Sequence, residues 1–352
     1  MAHRIALVGF GNVGREFARV LAERRQELSR DRGLDARVVA ILTANHGAVD
    51  HPRGVDLRAA LRAVEAGRSL DALGRPIRTA PAEYIRTARA DTIVELTPLR
   101  IAANQPAHDH IVAAIETGKH VITANKGPVV YHYRRLRDLA LRRHVGFRYE
   151  ATVMDGAPVF NLLQEALVGA RLQSFEGILN SVSNFVLTEI ERGGSYRNAV
   201  AKARAMGLLE ADASMDLDGW DATVKACLLA NVVMGGRVRP EAVPREGIAG
   251  IDVDRVRSAR AAGRRVKQIA RGWREGRTVR VSVSVEELAA DHALSSIDGT
   301  SNALLARTDM IKELLVSERN PGVRQTAYGV YSDLLAIHEG RLVPGAAWRR
   351  PS

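Results

Sequence analysis

The segment RIALVGFGNVGREFARVL, Arg4 to Leu21, restricts the fold of this chain more than any other. An aliphatic, β-branched run (4–9) breaks at the glycines of GFGNVG (9–14), and a helical apolar period follows from 12 to 28. A strand that turns through glycines into a helix opens a βαβ unit. The glycines have separable tasks. Gly9 permits the tight turn, Gly11 lets a ligand approach the backbone, and Gly14 lets helix and strand lie close. Such a loop delivers backbone N–H groups to a pyrophosphate at a helix N-terminus. Gly9, Phe10, Gly11, Asn12, Val13 and Gly14 are therefore candidate dinucleotide contacts.

Strand and helix patterns continue to alternate. ARVVAIL (36–42), TIVELT (92–97), HVITA (120–124) and GFRYEA (146–151) read as strands, with helical patterns at 57–66, 105–117 and 128–143. This order predicts a Rossmann-like, doubly wound parallel sheet with helices on both faces over residues 1–149. Near 150 the pattern changes. PVFNLLQEAL reads as a helix, LQSFEGIL as a strand, helical segments fill 184–235, and RRVKQIARGW and RTVRVSVSVEEL alternate with period two. Residues 150–320 are expected to form a second, α+β domain. A last helix, within 321–340, is expected to pack back on the first. No low-complexity linker separates the two, so the hinge near 150 must be short, with a cleft beside it.

With 352 residues, 46% of them hydrophobic, the chain can bury two cores. No apolar run approaches the roughly 20 residues that span a bilayer, and the first strand begins too early for a signal peptide. Its single cysteine, Cys227, makes no disulfide framework. A cytoplasmic protein is expected. The net charge of +11 raises nucleic acid as a partner, but only six of the 51 basic residues are lysine. The excess is dispersed arginine, and aromatics at 5% offer few stacking platforms. No nucleic-acid or membrane partner is expected.

Chemistry concentrates in LLEADASMDLDGWDATVKACLLA (208–230), where Glu210, Asp212, Asp216, Asp218 and Asp221 precede Lys225. Asp218 is placed to cap a helix, and Asp221 and Lys225, four apart, share one of its faces. A solvated ion pair accounts for them at little energetic gain. However, ACLLANVVMG marks the helix as buried nearly all round, and a buried lysine between carboxylates is suited to protonate a carbonyl oxygen. In ITANKGPVV, Lys126 follows a strand at the carboxyl edge of the first sheet, where ligands bind. Thr97 in ELTP lies at the same edge and can face a nicotinamide ribose. The second strand ends without an acidic residue for the adenosine ribose. Asn45 and His46 there, with Arg53 nearby, lean the choice between NAD and NADP towards NADP. Glu150 and the carbonyls of YEATVMDGAP (149–158) form a candidate oxygen cage.

GFGNVG, TANKG, YEATVMDGAP, GILNSVSNFVL, GLLEADASMDLDGWDATVK and TAYGVYSDLL occur in an order that resembles the homoserine dehydrogenases, over nearly the whole chain. The likeness is to the short form without a C-terminal regulatory domain. It implies interconversion of L-homoserine and L-aspartate 4-semialdehyde with NAD(P), a step of threonine and methionine biosynthesis. It assigns acid/base duty to Lys225, with Asp221 holding substrate and lysine, and Asp216 at the substrate. Glu210 would take the substrate's amino group. Lys126 would assist at substrate and cofactor, and Gly322 would survive from a longer glycine loop near the cofactor. It also implies a structural sodium ion on Glu150, Val153, Asp155 and Ala157, and a homodimer through the catalytic domain's sheet. At two substrate-side positions the chain departs from the family: Val182 replaces a threonine and Leu208 an aromatic residue. Two alternatives remain open, the first on account of these positions and the second on account of the shortened loop RNPGVRQ (319–325). One is a dehydrogenase for another small amino-acid alcohol or aldehyde; the other is a dinucleotide-binding sensor with a degenerate site.

Overall fold

A computed structural model describes residues 2–103, 105–209 and 212–345. The chain divides into two units. The first runs Met1–Asn161 and resumes at Gly322; the second is Leu162–Pro321. The first unit thus extends a dozen residues past the expected boundary at 149.

In the first unit, strands β1 (His3–Val8), β2 (Ala36–Leu42), β3 (Ala48–Asp50), β4 (Arg75–Pro76), β5 (Thr92–Glu95), β6 (His120–Thr123) and β7 (Phe147–Arg148) form one sheet. Helices α1 (Asn12–Arg32), α2 (Leu57–Glu65), α3 (Pro81–Thr87), α4 (Pro106–Glu116) and α5 (Lys126–Arg143) connect them. The strand order is β4-β3-β2-β1-β5-β6-β7. Ile5 to Val8 are at most 2% exposed, as a central parallel strand covered on both faces requires. The sheet is parallel from β2 to β7, but β3 and β4 extend it as antiparallel edge strands. They are three and two residues long, too short for an alternating signal.

That hairpin corrects one expectation. β3 returns along β2, so the His51 N–H donates to the Val39 carbonyl and the Val55 N–H to that of Val38. Arg53, between them, is carried towards the start of β2, away from the carboxyl edge where a 2′-phosphate would lie.

Gly9 adopts a φ of 102°, and a Cβ there would lie 2.6 Å from the Leu96 carbonyl group. A Cβ on Gly14 would lie 2.6 Å from the Gly9 oxygen, whereas at Gly11 nothing falls within 4 Å. Two glycines therefore serve the fold, and the third leaves space for a ligand. Gly14→Ala forces the loop off the helix at a cost of about 1–3 kcal/mol. We expect an affinity loss of about tenfold for the dinucleotide, measurable by quenching of intrinsic fluorescence.

The C-terminal helix (Val323–His338) packs on α1 and on the turn after β7. Gly156 and Gly329 allow the close approach: a Cβ on either would meet backbone at 2.5 Å (Gln325 oxygen) or 2.9 Å (Asp155 oxygen). Beyond the turn, the expected helix at 158–167 begins as α6 (Val159–Asn161) and widens to a π-helical turn over Leu162–Ala166.

In the second unit, β8 (Leu172–Ile178), β9 (Arg265–Glu275), β10 (Thr278–Leu288), β11 (Asn302–Thr308) and β12 (Leu314–Glu318) form an antiparallel sheet, β10-β9-β8-β11-β12. Its helices are α7 (Ser181–Glu191), α8 (Tyr196–Ala205), α9 (Ser214–Leu217), α10 (Trp220–Val232) and α11 (Val253–Ala261). The alternation read in β10 is structural: Val279, Val281, Val283 and Val285 are buried, while Arg280 is exposed. α10 lies against β9 and β10. Among the described residues, no helix is long and apolar enough to cross a membrane.

Candidate active site

The two halves of the expected chemistry fall in different units. In the first, the ends of β1, β2 and β5 are stitched together, since the Gly9 N–H donates to the Leu42 carbonyl and the Leu96 N–H to that of Val8. Glu95, fully buried at the end of β5, accepts from the Thr97 hydroxyl, from the Thr97 N–H at 3.2 Å and from the Thr123 hydroxyl at 3.3 Å. The Asn125 amide returns from the loop after β6, donating to the carbonyls of Thr97 (3.0 Å) and Pro98 (3.2 Å). Its oxygen caps α5 by accepting the Gly127 N–H at 3.1 Å. Glu95 and Asn125 thereby fix the two loops that carry Thr97 and Lys126. The sequence places Asn125 only as a turn residue beside Lys126 and does not single out Glu95. Lys126 is the half-buried first residue of α5.

Phe10, expected at the cofactor, turns its ring into the apolar core, and Val13 packs against that core. For Phe10, the backbone is what remains for a ligand. Asn12 begins α1, whose N-terminus has no side-chain cap and no acidic residue in its first turn, which suits a pyrophosphate. Asn45 is exposed after β2; His46 follows it, with its ring Nδ1 3.2 Å from the Arg68 carbonyl. Gly322 is the N-cap of the C-terminal helix. A dinucleotide fits this edge. Gly11 and the first turn of α1 would hold its pyrophosphate, with Thr97 on a neighbouring loop and Lys126 at the start of α5.

In the second unit, α10 buries eleven of its 13 residues. Gly219, at φ 77°, is its N-cap, so the cap expected of Asp218 is not made. Lys225 and Asp221 each keep 12% of their side-chain surface exposed and form an ion pair at 2.8 Å. The lysine Nζ also donates to the Leu179 carbonyl at 2.8 Å. Asn180, unremarked in the sequence, donates to Asp216 at 2.7 Å and to Asp221 at 3.1 Å. Asp216, Asp221 and Lys225 are thus gathered into one group. Val182 instead lies in the apolar cluster of this unit, and Leu208 packs against it. Glu210 lies outside the described residues.

In the expected sodium set, Glu150 with the carbonyls of Val153, Asp155 and Ala157, Glu150 and the Ala157 carbonyl have other partners. Both Glu150 oxygens accept backbone N–H groups, from Phe160 at 2.8 Å and Asn161 at 2.9 Å. The Ala157 carbonyl accepts the Val159 N–H, and the Asp155 carboxylate the Thr326 hydroxyl. Val153 is buried in the same turn. Burial and the neighbouring Asp333 carboxylate push the Glu150 carboxyl up to about 8. The two backbone N–H bonds serve the buried Glu150 carboxyl and lend no support to a cation.

Comparison with known proteins decides the family. Residues 9–150 match the NAD-binding domain model of homoserine dehydrogenase, and residues 158–335 match the homoserine dehydrogenase model. The chain belongs to the homoserine dehydrogenase family. It is 34% identical to an NAD(+)-dependent homoserine dehydrogenase of Pseudomonas canavaninivorans, with 96% of each chain covered. It is 32% identical to a homoserine dehydrogenase of Methanocaldococcus jannaschii over 95% of this chain and 98% of that one. Among solved structures, a hyperthermophilic archaeal homoserine dehydrogenase in complex with NADPH superposes with a TM-score of 0.80 at 29% identity, covering 96% and 97%. That of Thermoplasma acidophilum gives 0.81 at 26% identity, covering 96% and 100%. It covers these relatives nearly end to end, and it is an NAD(P)-dependent oxidoreductase of homoserine dehydrogenase type.

Proposed function

We propose that this chain interconverts L-homoserine and L-aspartate 4-semialdehyde, with Lys225 as the group that moves the proton. The observation that carries this reading is the placement of a lysine on a buried helix between Asp221 and the Leu179 carbonyl, both at 2.8 Å. Two anchoring acceptors fix the tilt of an ammonium on an otherwise flexible stem. When bound, the nicotinamide supplies or accepts the hydride. In the reducing direction Lys225 gives its proton to the carbonyl oxygen as that oxygen becomes an alcohol. In the oxidising direction the neutral amine takes the hydroxyl proton. Asp221 holds the lysine and stabilises its charged form, and Asp216 and Glu210 offer carboxylates to the substrate's ammonium group. Lys126, next to the Asn125 that bonds the Thr97 carbonyl, would steady substrate and nicotinamide ribose. A sodium ion forms no part of this reading.

With Arg53 turned away, the lean towards NADP rests on Asn45 and His46 alone, and similar proteins are named for each cofactor. Steady-state oxidation of L-homoserine with NAD and NADP in parallel tests both points. Turnover supports the reaction, and kcat/KM more than about tenfold higher with NADP supports the lean. Tight dinucleotide binding without turnover on homoserine would move the assignment to another amino-acid alcohol or to a sensor. We also propose a homodimer through the sheet of the second unit, whose face opposite α10 carries Arg280, Ser282 and Ser284. A monomer in sedimentation equilibrium at micromolar concentration counts against it.

A further inference from the structure

Asn180 joins three elements of the second unit through a single carboxamide. Its oxygen accepts the Ser183 N–H at 2.8 Å and caps α7. Its nitrogen donates to Asp216 of α9 at 2.7 Å and to Asp221 of α10 at 3.1 Å. The residue is 3% exposed. The residue before it, Leu179, supplies the carbonyl that Lys225 holds at 2.8 Å. One dipeptide therefore grips both members of the ion pair, the lysine through a main-chain oxygen and the aspartate through a side-chain amide.

A helix cap does not require this residue. Asn, Asp and Ser cap about equally well, and each offers an oxygen to the Ser183 N–H. What asparagine adds is an uncharged NH2 whose two hydrogens reach two carboxylates. Asp221 Oδ2 accepts from both Lys225 and Asn180, so removing the amide leaves that oxygen with one anchor fewer and lets the carboxylate rotate. Asp216 loses the same anchor.

We infer that Asn180 is a positioning residue of the reaction, holding Asp221 where it aims Lys225 and setting the spacing of Asp216 from Asp221. The inference rests on the acid/base role proposed for Lys225. Misplacing a reacting group by about 1 Å can cost about 10²-fold in rate.

The test compares Asn180→Ser, Asn180→Ala, Lys225→Ala and the double variant N180S/K225A in the full-length protein. Readouts are kcat and KM for L-homoserine, dinucleotide affinity and the thermal midpoint. Serine keeps a capping oxygen, adds no charge and cannot span to the two aspartates. The expected result is a fall in kcat of about 10- to 100-fold in N180S, with dinucleotide affinity unchanged and a thermal midpoint above that of N180A. In the Lys225→Ala background the serine substitution should cost little more, since the group it aims is gone. Wild-type kcat in N180S overturns the inference, and so does an equal loss from N180S in both backgrounds. Should Lys225→Ala alone retain full turnover, the acid/base reading falls and the inference with it. A dead Lys225→Ala beside a fully active N180S removes only the role of Asn180.

Discussion

Lys225→Ala is expected to lower kcat for homoserine oxidation by about 10²- to 10⁴-fold, the usual worth of a positioned acid/base, and to leave dinucleotide affinity at the wild-type value. The two effects separate because of where the groups reside. Gly9, Gly11, Gly14 and the N-terminus of α1 belong to the first unit, while Lys225 belongs to the second. Truncation also relieves a buried charge of its need for a partner, although it leaves Asp221, itself 9% exposed, without the lysine. Asn180 still donates to that aspartate, so the fold should survive and a thermal midpoint should confirm it. Lys225→Arg is the sharper control. A guanidinium keeps the positive charge but does not give up its proton at any ordinary pH, so it too should be inactive as a base. Turnover within threefold of wild type in either variant, with dinucleotide bound, would rule out lysine as the proton carrier.

The sequence made the first βαβ unit plain because strand, glycine loop and helix lie in one uninterrupted stretch. α10 was equally plain, since an apolar run broken by one lysine has few explanations. What escaped notice did so for physical reasons. β3 has three residues, and without it Arg53 looked close to a site from which a hairpin removes it. β11, NALLART, is buried over its first five residues, so it carries no alternation, and β12 at the sheet edge offers only five residues. Phe10 lies within the glycine motif, yet its ring belongs to the core; a motif gives backbone positions and does not say where each side chain turns. Asn180 and Glu95 were invisible for another reason. An asparagine before a helix reads as a cap whether or not its amide also holds two aspartates. A glutamate ending a strand gives no sign that it ties Thr97 to Thr123.

Asp333→Asn should produce the largest loss of stability, because of what it does to Arg148. That guanidinium is fully buried; it donates to Asp333 at 2.9 Å, to the Arg341 carbonyl at 2.7 Å and to the Asn161 side chain. Asp333 accepts the Glu150 N–H with its other oxygen at 2.8 Å. Removing one member of a buried pair costs about 3–5 kcal/mol, since the other charge stays behind. Here a second carboxyl stands by. In the wild type, burial and Asp333 keep Glu150 protonated to about pH 8, against an ordinary 4.5. The folded chain thus holds a proton that the unfolded chain releases. The resulting stabilisation is complete below the ordinary value and is lost as pH rises through 8. With Asp333 neutralised, Glu150 ionises more readily and becomes the counter-charge of Arg148, so the folded state loses much of its dependence on pH in that window. The expected result is a thermal midpoint roughly 10 °C below wild type at pH 6 and a smaller gap at pH 9, where only the wild type has lost stability. Replacing sodium by choline at constant ionic strength should move neither protein. A gap that is unchanged between the two pH values would show that Glu150 does not respond to Asp333. A wild-type midpoint that depends on sodium would instead restore the cation to the turn at 150–157 and make Glu150 its ligand.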